Sequence, residues 1–136
     1  MLAFTMQDWI TVRVGSGDAT IRQSDSAWLD LAGARDLTLW LEVKAFDVSG
    51  GSEVALIYET APTRDGELFV DYSQPVSLVV GAPIVTKIRA TWDSSVTLGR
   101  WLRWRLTSDG ATNEPWGATF RVLGSANTRR SSLTAA

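Results

Sequence analysis

DLTLWLEVKAF, residues 36–46, decides the fold. Leu37, Leu39, Leu41, Val43 and Ala45 alternate with Thr38, Trp40, Glu42 and Lys44, the period of two that puts one side of a strand in a core and the other in water. The run at 52–61 follows the same rule, with Val54, Leu56 and Tyr58 inward and Glu53 and Glu59 outward. Between them DVSGGS supplies the glycines of a tight reversal, so the two runs are expected to pair as a hairpin.

Further strands are expected at 8–14, 19–23, 27–31, 76–80, 84–92, 98–108 and 116–123, with a weaker one near 67–70. Turn-rich pieces separate them: GSGD, TRDG, SQP, GAP, DSS and SDGATNEP. No stretch of ten residues carries a helical period. Many short strands between such turns predict an all-β chain: a single antiparallel β-sandwich of jelly-roll type, with a closed barrel as the alternative. The expected organisation is an N-terminal arm at 1–7, a sandwich domain at 8–123 and a small, polar C-terminal arm at 124–136. An arm of that composition becomes ordered by docking on a neighbouring chain or on its own sheet.

The composition bounds the chemistry. With no histidine and no cysteine, the chain has no Ser-His-Asp triad, no thiol nucleophile and no zinc site of the usual ligands. No cofactor, metal or catalytic residue is assigned, and the chain is read as no enzyme. Thirteen basic against 15 acidic residues give a net charge of -2, which removes the electrostatic case for nucleic acid or an anionic membrane. MLAFTMQDWI has no basic segment leading into an apolar one, so no signal peptide is expected. Paired carboxylates run glycoside hydrolysis without histidine, but Glu59, Asp65, Glu67 and Asp71 read as surface charge. Asp47 and Glu53 around the GG turn make no calcium loop, and GSGDAT at 15–20 leads into a strand and is a turn.

What remains is contact. Of the seven tryptophans, Trp92, Trp104 and Trp116 share parity with apolar neighbours and belong to the core. Trp9, Trp40 and Trp101 fall on the solvent side, where an indole beside arginines is either an interface anchor or covered by a loop or a terminal segment. The interface candidates are Trp9, Trp40, Trp101, Arg103, Arg105 and, in the C-terminal arm, Arg129 and Arg130. Arg100, Arg103, Arg105 and Arg121 interleave with Trp101 and Trp104, a pattern that binds single strands elsewhere; here cross-strand pairing with Asp and Glu is expected instead. Outward rings also stack on sugars where they form a coplanar platform beside amides, and the scarcity of Asn and Gln weighs against it.

From residue 37 to 123, the order LTLWLEVKAFDVSGGSEVALIYETAPTRDG, IRATW, RWLRWRLTSDG and WGATFRVLG resembles small all-β virion structural proteins of tailed bacteriophages. It is similar, secondly, to sandwich domains of the carbohydrate-binding type. The first resemblance implies a structural protein of the virion, assembled in the host cytoplasm. It would decorate or stabilise a capsid through contacts with its own copies, with the major capsid protein, or with both. No catalytic residue comes with it, because no motif of this chain matches one.

Overall fold

The structure is a computed structural model that describes residues 2–15, 20–32, 34–48, 53–89, 98–108 and 115–128. Its strands are β1 (Leu2–Val14), β2 (Thr20–Arg22), β3 (Leu29–Asp30), β4 (Ala34–Val48), β5 (Val54–Ala61), β6 (Val70–Asp71), β7 (Val76–Ser77), β8 (Ile84–Arg89), β9 (Trp101–Ser108) and β10 (Trp116–Thr128). Single 3-10 turns lie at Asp25–Ala27 and Gly66–Leu68.

Two antiparallel sheets form a sandwich. The first has the order β1-β10-β4-β8; the second has β2-β9-β5-β6, with β3 also on β9 and β7 also on β5. Because β2 and β3 share one partner, and β6 and β7 share another, each couple is one interrupted strand. The described residues then form eight strands whose pairs run first with last, second with seventh, third with sixth and fourth with fifth. That is a folded-back ribbon, and rolling it so that β10 meets β4 and β9 meets β5 closes a jelly roll.

The runs at 36–46 and 52–61 are therefore not a hairpin. β4 bonds to β10 and β8 in one sheet and β5 bonds to β9, β6 and β7 in the other. The reason lies in their matching apolar sides, which bury more surface facing each other across the sandwich than lying side by side in one sheet. Leu37, Leu39, Leu41 and Val43 thus oppose the layer that holds Val54, Leu56 and Tyr58, all buried.

The expected arms shrink as well. Residues 2–7 are the first half of β1 and pair with 122–126, and 124–128 are the end of β10, paired onto β4. Apolar side chains account for this: Met6 and Ala126 are buried, and Phe4 packs on the core over Gly124. A Cβ at Gly124 would lie 2.5 Å from Phe4 Cζ, so only glycine leaves room for the ring. Two register shifts in β1, between Thr5 and Gln7 and between Gln7 and Ile10, restore the parity that keeps Met6 and Val12 inside. A third shift, opposite Thr119 and Phe120, skips Lys44 and turns Ala45 out to solvent, against its expected place in the core. Trp92 and the segment 90–97 around it lie outside the described residues.

Leu39, Leu41, Leu56, Ile88, Leu102, Trp104, Leu106, Phe120 and Val122 are each at most 2% exposed, as their parity requires. Trp104 meets Phe120 of the opposite sheet edge-on at 5.0 Å, and its indole N–H donates to Gln7 Oε1 at 3.2 Å. Trp104→Ala is expected to cost about 3–5 kcal/mol, read as a shift in the urea midpoint with far-UV circular dichroism showing whether the sheets persist.

Candidate interaction surfaces

The outer face of the second sheet is roofed around Arg103 and Glu59 by its own chain. The two 3-10 turns bring Trp28 and Phe69 over β9, where their rings meet edge-on at 4.8 Å. Beneath them Arg103 lies 4.0 Å from the Phe69 ring centre and 5.0 Å from that of Trp28. The alternation continues outward: Arg64 lies over both Trp28 and Trp101, and Arg100 over Trp101. Each such stack is worth about 0.5–1 kcal/mol at an exposed position and more where water is excluded.

Carboxylates close the ladder at both ends. Glu59, opposite Arg103 in register, accepts from Arg103 Nε at 2.8 Å and with its other oxygen from Arg105, which also donates to Asp71 at 2.7 Å. Arg105 keeps its proton more firmly than usual; burial opposes this, and Asp71 and Glu59 outweigh it. At the far end Arg100 grips Asp30 with two hydrogen bonds of 3.0 Å. The Arg100 fork and the Ala32 N–H hold the Asp30 carboxyl below its usual range. Gly99 permits the approach: a Cβ there would lie 2.5 Å from Ala61 O, and the Gly99 N–H donates to Thr60 Oγ1.

Glu59 is thus not a surface charge. It points outward as its parity demands, yet it is 3% exposed, because the turns carrying Trp28 and Phe69 roof the strand. Asp71 stays open, while Asp65 caps its own turn by accepting from the Glu67 N–H. The arginines pair across strands as expected, Arg121 with Glu42 on the other sheet included.

The first sheet presents a different exterior. One row across all four strands reads Thr5, Leu123, Trp40 and Val85, each opposite the next in register, with Trp40 and Leu123 half-buried. Val85 is 48% exposed. Trp9, on the same face, is 43% exposed and is flanked by Arg121 at 4.8 Å and Lys44 at 5.8 Å.

The proposed anchors therefore separate. Trp9 and Trp40 share the first sheet's outer face; Trp101, Arg103 and Arg105 belong to the ladder, with Arg103 buried and Trp101 half-buried between guanidinia. Arg129 and Arg130 lie outside the described residues. Parity alone did not find Trp28, Phe69 and Arg64, which sit in or beside turns where no alternation marks a face. Leu123 and Val85 were legible as outward aliphatic residues on strands.

Removing the Glu59 carboxylate leaves Arg103 buried without its counter-charge. Glu59→Ala is therefore expected to cost about 3–5 kcal/mol, read from the urea midpoint. Asp30→Asn should move the midpoint far less, since both members of that pair are largely in water. Because Asp30 is more acidic folded than unfolded, its contribution is present above the usual aspartate range and fades as pH falls through it. A wild-type minus Asp30→Asn comparison should shrink on acidification.

No protein-family model matches the chain, and no curated protein matches it. Among solved structures, the chain is similar to one in the structure of infectious bursal disease virus, Gx strain, at 12% sequence identity and a TM-score of 0.45. The match covers 90% of this chain and 32% of that one. The jelly roll stands on the strand pairing described above and not on this likeness.

Proposed function

We propose that this chain is a structural protein of a virion that works by protein–protein contact, decorating or stabilising a phage capsid, with no catalytic turnover. The observation that carries the contact reading is the row Thr5, Leu123, Trp40, Val85 on the open face of the first sheet, joined on that face by Trp9. A rigid sheet that holds two indoles and two aliphatic side chains outward offers anchor area at low entropic cost. Burying one such side chain supplies about 1.5–3 kcal/mol. A specific interface needs roughly 1,200–2,000 Å² in total, so the row is its centre and the surrounding polar residues its rim. The virion setting rests on the resemblance of the strand runs at 37–123, since a jelly roll by itself hosts many functions. Other copies of this chain and a major capsid protein are the partners that setting implies, and the host cytoplasm is where assembly would take place.

The absence of turnover is supported by how the carboxylates are used. Both oxygens of Glu59 are held by arginines, and Asp71 shares one of them, which leaves no free acid facing a base across a cleft there. Against a sugar-binding platform stands the state of the rings on the second sheet: Trp28, Phe69 and Trp101 each carry a guanidinium.

Sedimentation velocity over a concentration series tests the self-assembling form. The wild type is expected to associate, and Trp40→Ala with Val85→Lys to give a folded monomer with an unchanged circular dichroism spectrum. A wild type that stays monomeric throughout, and that hydrolyses a polysaccharide in a way Glu59→Gln abolishes, overturns the structural reading.

A further inference from the structure

Among the described residues, four large hydrophobic side chains stand exposed away from the outer face of the first sheet: Leu68, Val70, Val79 and Val80. They form two patches. Val79 and Val80 lead the connection from β7 to β8, VVGAP at 79–83, a run of exposed residues with no charged or polar side chain. Gly81 turns this tip back at a φ of 136°, a conformation that strains any residue with a Cβ. Leu78, buried in the core and with its N–H on Val54 O at 3.1 Å, fixes the tip beside the start of β5.

The other patch lies at the far end of the same strand. Leu68 and Val70 border an apolar hollow of about 340 Å³ together with Thr60, Ala61, Pro62 and Leu98. Of these residues only Thr60 has a polar side chain, and its hydroxyl is engaged twice: it donates to Trp101 O and accepts from the Gly99 N–H. A charged or polar occupant would therefore lose water in the hollow with no side chain there to replace it.

We infer that the apolar tip of one copy seats in the hollow of a second copy, head to tail. Tip and hollow match in character, both uncharged and both built on aliphatic side chains open to water. They cannot meet within one chain, because the tip is tied to Val54 and the hollow to Ala61, the two ends of an eight-residue strand about 23 Å long. Two different patches that fit each other join copies in one direction, so the contact repeats into a ring or a line of subunits. Neither patch shares a residue with the row Thr5, Leu123, Trp40 and Val85, which leaves one copy free to make both contacts. Four aliphatic side chains fall well short of the roughly 1,200–2,000 Å² that a specific interface buries. The inference thus rests on the assembly reading above: copies joined by the row present several tips and hollows at once, and contacts too weak singly then act together.

Sedimentation velocity of the full chain over a concentration series reads this contact. Val80→Asp on the tip and Leu68→Asp at the hollow, each an exposed replacement checked by circular dichroism, are both expected to lose the largest species that the wild type forms. Val79→Ser with Val80→Ser, which adds no charge, is expected to act as Val80→Asp does. An equal mixture of Val80→Asp and Leu68→Asp is expected to regain species larger than either forms alone, since the first keeps an intact hollow and the second an intact tip. The inference is overturned if both variants sediment as the wild type does, or if the mixture gives nothing larger than its components. Loss in one variant alone overturns it too; where that variant is Leu68→Asp, the hollow takes some other segment. A wild type that stays monomeric overturns the assembly reading with it, whereas a wild type whose association needs Trp40 and Val85 and ignores the tip removes this contact alone.

Discussion

The two sheets are held in register by Trp104. Its side chain fills the middle of the sandwich against Phe120, and its indole N–H reaches Gln7 on β1. Its backbone is tied as firmly: the Trp104 N–H donates to Gln23 Oε1 and the Gln23 N–H donates to Trp104 O. The Gln23 amide group then donates to Met6 O at 2.8 Å and to Ala27 O at 3.0 Å. One buried glutamine thus joins β9, the first 3-10 turn and the opposite sheet, with the bonding capacity of its side chain in use, as burial of a polar group demands. The placement of Trp28 follows from that knot, because its indole N–H donates to Gln23 O. The roof over Arg103 depends on Trp28 in turn.

The roof sets a balance between opposing costs. Taking Glu59 and Arg103 out of water is unfavourable by several kcal/mol for each ion, and a single ion pair seldom repays it. Here Glu59 faces two guanidinia, and Arg103 gains two aromatic faces and a contact with Gly66 O besides. The group is not a strong source of net stability on that account. Its value is in specificity: aliphatic replacements would fill the space, but they would not dictate where two short turns with little core of their own must sit. Tyr58, by contrast, is buried in the core with its hydroxyl unpartnered, and burial pushes its phenol pKa up. Its ring is held by packing, while its backbone is bonded to Ser73 and Tyr72.

The sequence displayed the layers more clearly than the connections. Alternation at 36–46, 52–61, 84–92, 98–108 and 116–123 marks the inner faces, and Leu39, Leu41, Leu56, Ile88, Leu102, Trp104, Leu106, Phe120 and Val122 on them are all buried, Ala45 beyond the bulge being the exception, because side-chain parity is a local property of an extended chain. Pairing partners are not local. The glycines after β4 were read as a hairpin turn, though they serve equally for a crossover between sheets, and only the competition for β10 and β8 decides. Likewise parity showed correctly that Glu59 and Arg103 point away from the core, but it could not show a lid made by residues 25–28 and 66–69, which have no period. The terminal pairing escaped notice because β1 carries two bulges and β10 ends in small residues, Gly124 to Ala126, whose role is to make room for Phe4.

These features leave the molecule with two unlike exteriors. On the second sheet, the rings and charges around Arg103 satisfy each other, so binding at that spot would first have to break internal contacts, while Leu68 and Val70 beside it stay exposed. On the first sheet, Trp40, Leu123 and Val85 face outward, and three of its four strands, β1, β4 and β10, are the longest among the described residues. Long strands locked by a shared core make a stiff platform, and stiffness lowers the entropy lost when a side chain is buried on contact. The lid on one face and the bare row on the other are therefore one arrangement.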